Sequence, residues 1–338
     1  MKLEILEPHC EWTADAVKDP ALWTEWLTPA ELAELDVATK ANAGRDLREV
    51  GKADFPLPTL GARIKRIENE LINGRGFVQI RGVDRAAYSN DEMCMIYWGI
   101  GAHLGKPWAQ NKHGHILGDV TDQGKSANDP TARGNELGGI KLGFHCDGSD
   151  LVGLMCLQTG VSGGLSAVAN SVAIHNAMVR EVPELAAELY LPQPYDYRGE
   201  QAPGEKPYYM IPVFTNWHGR LFVRAIVPYI LASQRHPEAP TLTDRARAAL
   251  QWLDDAAESG RWNVTIDFTP GDIQFINNFH VMHGPTEYVD DRAAGKVRHL
   301  KLLWLETEVL ADRPPVFRRN VSSHWSDKAV ISRLDAAE

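Results

Sequence analysis

Basic stretches are what this chain lacks first. Its 338 residues carry 35 Lys and Arg against 45 Asp and Glu, a net charge of −10, with no Lys/Arg-rich block. That disfavours nucleic acid and anionic membrane as partners, because both need a clustered basic footprint. A small anion can still be held in a local basic pocket. Long apolar runs are missing too. No segment approaches the roughly 18–20 residues that span a bilayer, and Met1 to Pro8 has neither an apolar h-region nor a cleavage site. Cysteine is scarce: Cys10, Cys94, Cys146 and Cys156 show no paired spacing. They read as free thiols in a reducing cytoplasm rather than as a disulfide framework. Internal repeats and low-complexity tracts are absent from the sequence.

What is present is an ordinary globular composition, 44% hydrophobic and 24% charged. The length permits two domains, but one barrel with helical additions often runs this long. Helix signals dominate the first hundred residues. Thr28-Pro29-Ala30-Glu31 is a capping box with Pro at the first helical position. Leu60, Ile64, Ile67 and Leu71 recur at helical spacing up to Asn73-Gly74, and Ser89 to Glu92 caps a helix running toward His103. Gly76 to Gly82 alternates like a strand. Residues 108–143 are rich in Gly, Asn, Asp and Ser with little periodicity, which predicts a long loop. Strands are expected over Leu151–Leu157, Leu221–Val227, Trp262–Phe268, Gly271–Ile276 and Arg298–Leu305, with helices over Val172–Val182 and Thr243–Ser259. The expectation is a mainly β fold with flanking helices, a jelly-roll-type double sheet. It would form a single domain over 1–338: a helical part about 1–105, a lid loop about 108–143, and a barrel core about 144–306.

The chemistry gathers at His145-Cys146-Asp147. Residues two apart on a strand share a face, so an imidazole and a carboxylate there can take adjacent corners of a metal's coordination sphere, while Cys146 points away. A distant third ligand, His283, completes a two-His-one-carboxylate facial triad, the set that leaves corners open on non-haem Fe(II). Twelve histidines make a chance H-x-D plausible, so the neighbours matter. His283-Gly284-Pro285 reads as a strand running into a turn. Arg298 opens an alternating strand fifteen residues later, on the face of Leu300, Leu302 and Trp304. Ser166 offers a hydroxyl nineteen residues after Asp147. His280 differs from His283 by an odd number and would face the other way; it reads as a structural or supporting residue. His103, His113, His115, His175 and His299 read as ordinary polar or core histidines.

In this order and spacing the chain resembles the taurine dioxygenase-like (TauD/TfdA) group of Fe(II)/2-oxoglutarate-dependent oxygenases, from about Trp23 to Leu305. The carriers are Gly74–Gly82, His103–Pro107, Phe144–Asp147, Ser162–Ser166, Gly271–Asn278, His283-Gly284 and Arg298-His299-Leu300. The resemblance implies a double-stranded β-helix and iron held by His145, Asp147 and His283. It also implies 2-oxoglutarate as cosubstrate, with O2, held at its distal carboxylate by Arg298 and Ser166. Arg298 suits that role because a buried guanidinium needs an anion and can grip a carboxylate with two parallel bonds. The implied activity is hydroxylation of an unactivated C–H bond of a small molecule, with succinate and CO2 as coproducts.

Two departures stand out. Many relatives read Arg-x-x-x-Arg in the last strand, where this chain has Arg298 and then Leu302, and many carry Arg where this chain has Pro285. The missing second arginine argues against taurine held in the manner of that branch. With the acidic net charge, it favours an amino acid or related zwitterion over a dianion. Substrate contacts are sought at Arg224 and in the loop at Arg133, with Tyr208 and Tyr209 as walls. For Arg224 an outward-facing strand residue is an equal reading. Rival functions are a hydrolase or isomerase with a redox-inactive metal, and a non-catalytic small-molecule binder on the same barrel. A homo-oligomer stays open.

Overall fold

The computed structural model describes residues 3–125, 134–318 and 330–331. Local signals set the first elements. A short strand, β1 (Thr24–Trp26), leads into helix α1 (Pro29–Ala41), whose Thr28–Glu31 capping box closes in both directions. Helix α2 (Leu60–Asn73) buries Leu60, Ile64, Ile67 and Leu71, the predicted stripe. Strand β2 (Phe77–Arg81) follows, then α3 (Asn90–Ala102), started by the Ser89–Glu92 capping box.

Residues 108–143 are not one long loop. Strand β3 (Lys106–Trp108) runs into them and β4 (His115–Thr121) crosses their middle, pairing antiparallel with the last long strand. Gly118 and Asp119 had broken the apolar alternation there. Asp119 is nonetheless buried, because His299 Nε2 and Lys301 Nζ both lie 2.5 Å from its Oδ1.

Then come β5 (Leu151–Gln158), β6 (Ser162–Gly163), β7 (Ser166–Asn170), α4 (Ser171–Glu181) and α5 (Pro183–Leu189). Pro183, just past the expected helix end at Val182, starts the next helix at its first position, where no backbone donor is needed. Strands β8 (Pro192–Asp196), β9 (Tyr208–Pro212) and β10 (Phe214–Trp217) form hairpins with their neighbours. Strand β11 (Arg220–Val223) ends before Arg224, and α6 (Val227–Ala232) begins where the sequence had suggested more strand. The chain continues through α7 (Asp244–Glu258), β12 (Asn263–Ile266), β13 (Ile273–Asn277), β14 (Val281–Pro285), β15 (Tyr288–Val289), β16 (His299–Glu306) and β17 (Val330–Ile331).

Two sheets matter for function. The larger runs β1-β2-β13-β5-β16-β4-β17, with β3 added on β16; the smaller runs β12-β7-β14. Phe77, Val152, Ile276 and Trp304 of the large sheet share one cluster with Val168, Ile266 and Val281 of the small one, so the sheets face each other. Alternation sends the other side chains outward. Met155, Phe275, Leu303 and Leu305 pack on α2 and α3 behind the large sheet, while Ala169 and Met282 pack with α4 and α7 behind the small one. Helix exceeds strand, 35% against 26%, so the fold is mixed helix and strand rather than mainly β. No helix among the described residues is long and apolar enough to cross a membrane.

Candidate metal centre and cavity

His145 and His283 come from distant segments, yet their backbones pair directly. Each N–H donates to the other's carbonyl, at 3.0 and 2.9 Å, in an isolated antiparallel bridge. The rings therefore sit side by side, centroids 4.5 Å apart. Asp147, two residues on, brings Oδ1 to 3.8 Å from His145 Nε2 and Oδ2 to 3.5 Å from His283 Nε2. One ligand atom from each of the three lies within 4.8 Å of the other two. Gly284 makes the close approach possible: a Cβ there would stand 2.5 Å from the carbonyl oxygen of Leu142.

Surrounding groups fix the donor chemistry. His145 Nδ1 lies 2.9 Å from the Gly143 carbonyl, so that nitrogen donates and Nε2 keeps its lone pair for a metal. Burial, with His283 adding to it, lowers the His145 pKa to about 4, which keeps the imidazole neutral. Burial works to raise Asp147, but His283, His145 and the Trp304 indole outweigh it. The carboxyl is held well below the usual range and stays ionised. Trp304 Nε1 donates to Asp147 Oδ2 at 2.9 Å. Asn278 grips the Asp147 backbone at both ends: its Oδ1 accepts from Asp147 N at 2.7 Å and its Nδ2 donates to Asp147 O at 2.8 Å. Two imidazoles and one ionised carboxylate, all on the cavity side, form a donor set that fits ferrous ion with corners left open. Cys146 points the other way, fully buried, its thiol pushed up to about 12 by burial.

The triad opens into a cavity of about 260 Å³. Arg298, Leu300, Leu302 and Trp304 line it together, as their alternation required. Arg298 is 4% exposed. Its guanidinium lies 5.1 Å from the Tyr288 ring centroid and forms no ion pair among the described residues. Burial lowers its pKa, the mark of a cation short of an anion. Gly164, at φ +70°, lets the backbone lie against it; a Cβ there would meet Arg298 Nε at 2.7 Å. Ser166 also lines the cavity, and its Oγ donates to Gln274 Oε1 at 2.8 Å.

The substrate-contact candidates fare differently. Arg224 lies just past β11, buried, and its guanidinium donates to the Asp147 carbonyl instead of lining the cavity. It therefore braces the metal loop from behind. Arg133 lies outside the described residues. Tyr208 and Tyr209 are not cavity walls: Tyr208 donates to the Glu238 carbonyl and Tyr209 stacks on Tyr195. His280 is buried with Nε2 3.0 Å from Glu7 Oε2, apart from the triad. Sequence reasoning missed Asn278, whose Asn-Asn signal was visible, and Arg198, which carried none; Arg198 lines the cavity from the turn after β8.

The family model described as taurine catabolism dioxygenase TauD, TfdA family matches residues 43–304. Among curated proteins, the FR-33289 synthase of Streptomyces rubellomurinus (strain ATCC 31215) is 29% identical over 324 residues, covering 94% of each chain. The taurine hydroxylase-like protein SAT17 of Stachybotrys chartarum is 24% identical, over 86% of this chain and 77% of that one. Two solved structures share the fold. Asparagine oxygenase in complex with Fe(II), 2S,3S-3-hydroxyasparagine and succinate aligns with TM-score 0.64 at 17% identity, over 84% of this chain and 94% of that one. The non-heme iron oxygenase OrfP in complex with Fe and alpha-ketoglutaric acid aligns with TM-score 0.62 at 18% identity, over 83% and 93%.

Proposed function

The chain belongs to the taurine catabolism dioxygenase TauD, TfdA family and is a 2-oxoglutarate-dependent non-haem iron oxygenase using Fe(II), 2-oxoglutarate and O2; from that premise we propose that it hydroxylates an unactivated C–H bond of a small molecule at His145, Asp147 and His283. Iron together with 2-oxoglutarate supplies the oxidising power, and succinate and CO2 leave as coproducts. The protein's part is to bind, orient and exclude water. His145, Asp147 and His283 would hold the metal through Nε2, a carboxylate oxygen and Nε2. The two facing sheets are read as a double-stranded β-helix and the chain as one oxygenase domain.

Arg298 would take the distal carboxylate of 2-oxoglutarate, because its buried charge has no ion-pair partner among the described residues. Ser166 can assist by accepting from a flipped Gln274 amide, since Gln274 Nε2 is buried without a partner; the hydroxyl proton then turns to the carboxylate. Trp304, Asn278 and Arg224 are positioning residues, each holding Asp147. The observation that carries the reading is the convergence of two imidazoles and a carboxylate on the cavity that also contains a buried arginine with no ion-pair partner among the described residues.

The test is release of CO2 from 1-labelled 2-oxoglutarate with and without Fe(II). Turnover should require Fe(II) and oxygen, and Asp147→Ala should abolish both iron binding and CO2 release. Activity that persists without oxygen or 2-oxoglutarate would instead support a redox-inactive metal hydrolase or isomerase. Ligand binding that survives Asp147→Ala, with no turnover in the wild type, would support a simple binder.

A further inference from the structure

We propose that Tyr288 is a positioning residue that ties Arg298 to the roof of the cavity, so that 2-oxoglutarate binding and closure of residues 134–143 favour each other; the proposal rests on the oxygenase reading above. The roof is the last part of the stretch expected to form a lid. Leu137, Ile140 and Leu142 from it line the cavity. It leads straight into the metal site, where the Gly143 carbonyl accepts from His145 Nδ1 at 2.9 Å. At its start Asn135 Nδ2 donates to the Asp119 carbonyl at 2.9 Å. Lys141 pairs with Glu258 at 2.6 Å, but both side chains are exposed and such a pair contributes little. Between the two ends, the buried hold on the roof is Tyr288, whose hydroxyl donates to the Leu137 carbonyl at 3.2 Å.

One side chain therefore touches both partners. The Tyr288 ring carries the Arg298 guanidinium 5.1 Å from its centroid, and a ring–cation contact is worth most where water is excluded. The same short stretch holds the arginine's backbone, since Arg298 N–H donates to Asp290 Oδ1 at 2.8 Å. The other end of the phenol belongs to the roof. Burial raises its pKa, and a hydrogen bond from the Gly139 backbone opposes the rise. Gly139 itself, at φ +70°, turns the roof against Tyr288; a Cβ there would stand 3.3 Å from the Tyr288 carbonyl oxygen. A carboxylate gripped by Arg298 fixes the guanidinium, the guanidinium fixes the ring it rests on, and the ring aims the hydroxyl at Leu137. Coupling of this kind is reciprocal: a roof held shut also favours the cosubstrate. It closes the cavity to water once the cosubstrate is in place.

Amide hydrogen exchange of anaerobic enzyme loaded with Fe(II), with and without saturating 2-oxoglutarate, tests this beside calorimetric titration of 2-oxoglutarate. In the wild type, 2-oxoglutarate should slow exchange across 137–143 by about fivefold or more, with α1 unchanged. Tyr288→Phe keeps the ring and loses the hydroxyl, so that slowing should vanish and 2-oxoglutarate should bind more weakly by a comparable factor. Tyr288→Leu removes the ring as well and should weaken 2-oxoglutarate further, by about tenfold or more in all. A merely structural tyrosine would speed exchange in 137–143 yet leave its response to 2-oxoglutarate intact. That result in Tyr288→Phe overturns the proposal, as does a wild-type roof that does not respond to bound 2-oxoglutarate. Equal affinity in wild type and Tyr288→Leu overturns it too. Exchange in α1 shows that each variant is folded, and the Phe variant alone decides the coupling if the Leu variant does not fold. Failure of the wild type to bind 2-oxoglutarate with Fe(II) would strike the oxygenase reading instead.

Discussion

The two faces of β16 bury cations in opposite ways. On the outward face, Lys301 Nζ and His299 Nε2 each lie 2.5 Å from Asp119, and Leu303 and Leu305 join the core beneath α2 and α3. On the inward side, Arg298 leads Leu300, Leu302 and Trp304 into the cavity with no carboxylate in ion-pair range among the described residues. A charge neutralised within the protein contributes to a closed structure. A charge left without an anion carries a desolvation penalty that a ligand can relieve. Residue parity along this segment thus sends one set of side chains into the core and the other toward the cavity.

That separation can be broken from either side. Arg298→Gln should weaken 2-oxoglutarate by about 30-fold or more, in line with about 2–5 kcal/mol for truncating a buried charge pair, with little loss of melting temperature. Titration of 2-oxoglutarate and a thermal melt on the same sample check both halves; unchanged affinity would remove Arg298 from the cosubstrate site. Leu303→Ala should do the reverse, costing about 2–5 kcal/mol of stability as a core truncation while 2-oxoglutarate affinity holds. Denaturant unfolding measures it, and a selective loss of affinity would show that the faces are coupled. The smallest effect sharpens the contrast. Trp304→Phe keeps the ring in the core but removes the donor to Asp147, so iron affinity should fall by roughly 10- to 100-fold, read by chelator competition, with the fold unchanged.

Much of this was legible in the sequence where a short period governs the outcome. His145 and Asp147 share a face because they are two apart, and Arg298 follows Leu300 and Trp304 inward for the same reason. The capping boxes at Thr28 and Ser89 needed only local hydrogen bonds. Strand β4 was hidden because Asp119 is buried only by grace of partners some 180 residues away in β16. Arg224 looked like a substrate contact because it sits among apolar residues; the strand stops one residue earlier and turns the guanidinium toward the Asp147 carbonyl. Arg198 gave no signal, since a cation beside Gly199 in a turn is the commonest kind of surface residue.

By itself the sequence determined which atoms can bind: two imidazoles and a carboxylate at strand spacing, and an arginine in phase with an apolar face. These follow from backbone geometry repeated every two residues. Tertiary structure alone decided what stands opposite them. It set His283 against His145 through a two-bond backbone bridge, aimed the Trp304 indole at Asp147, and brought Arg198 to the cavity wall. Such meetings depend on how two sheets and distant turns pack, and no local period encodes the distance between segments that touch only after the chain has closed on itself.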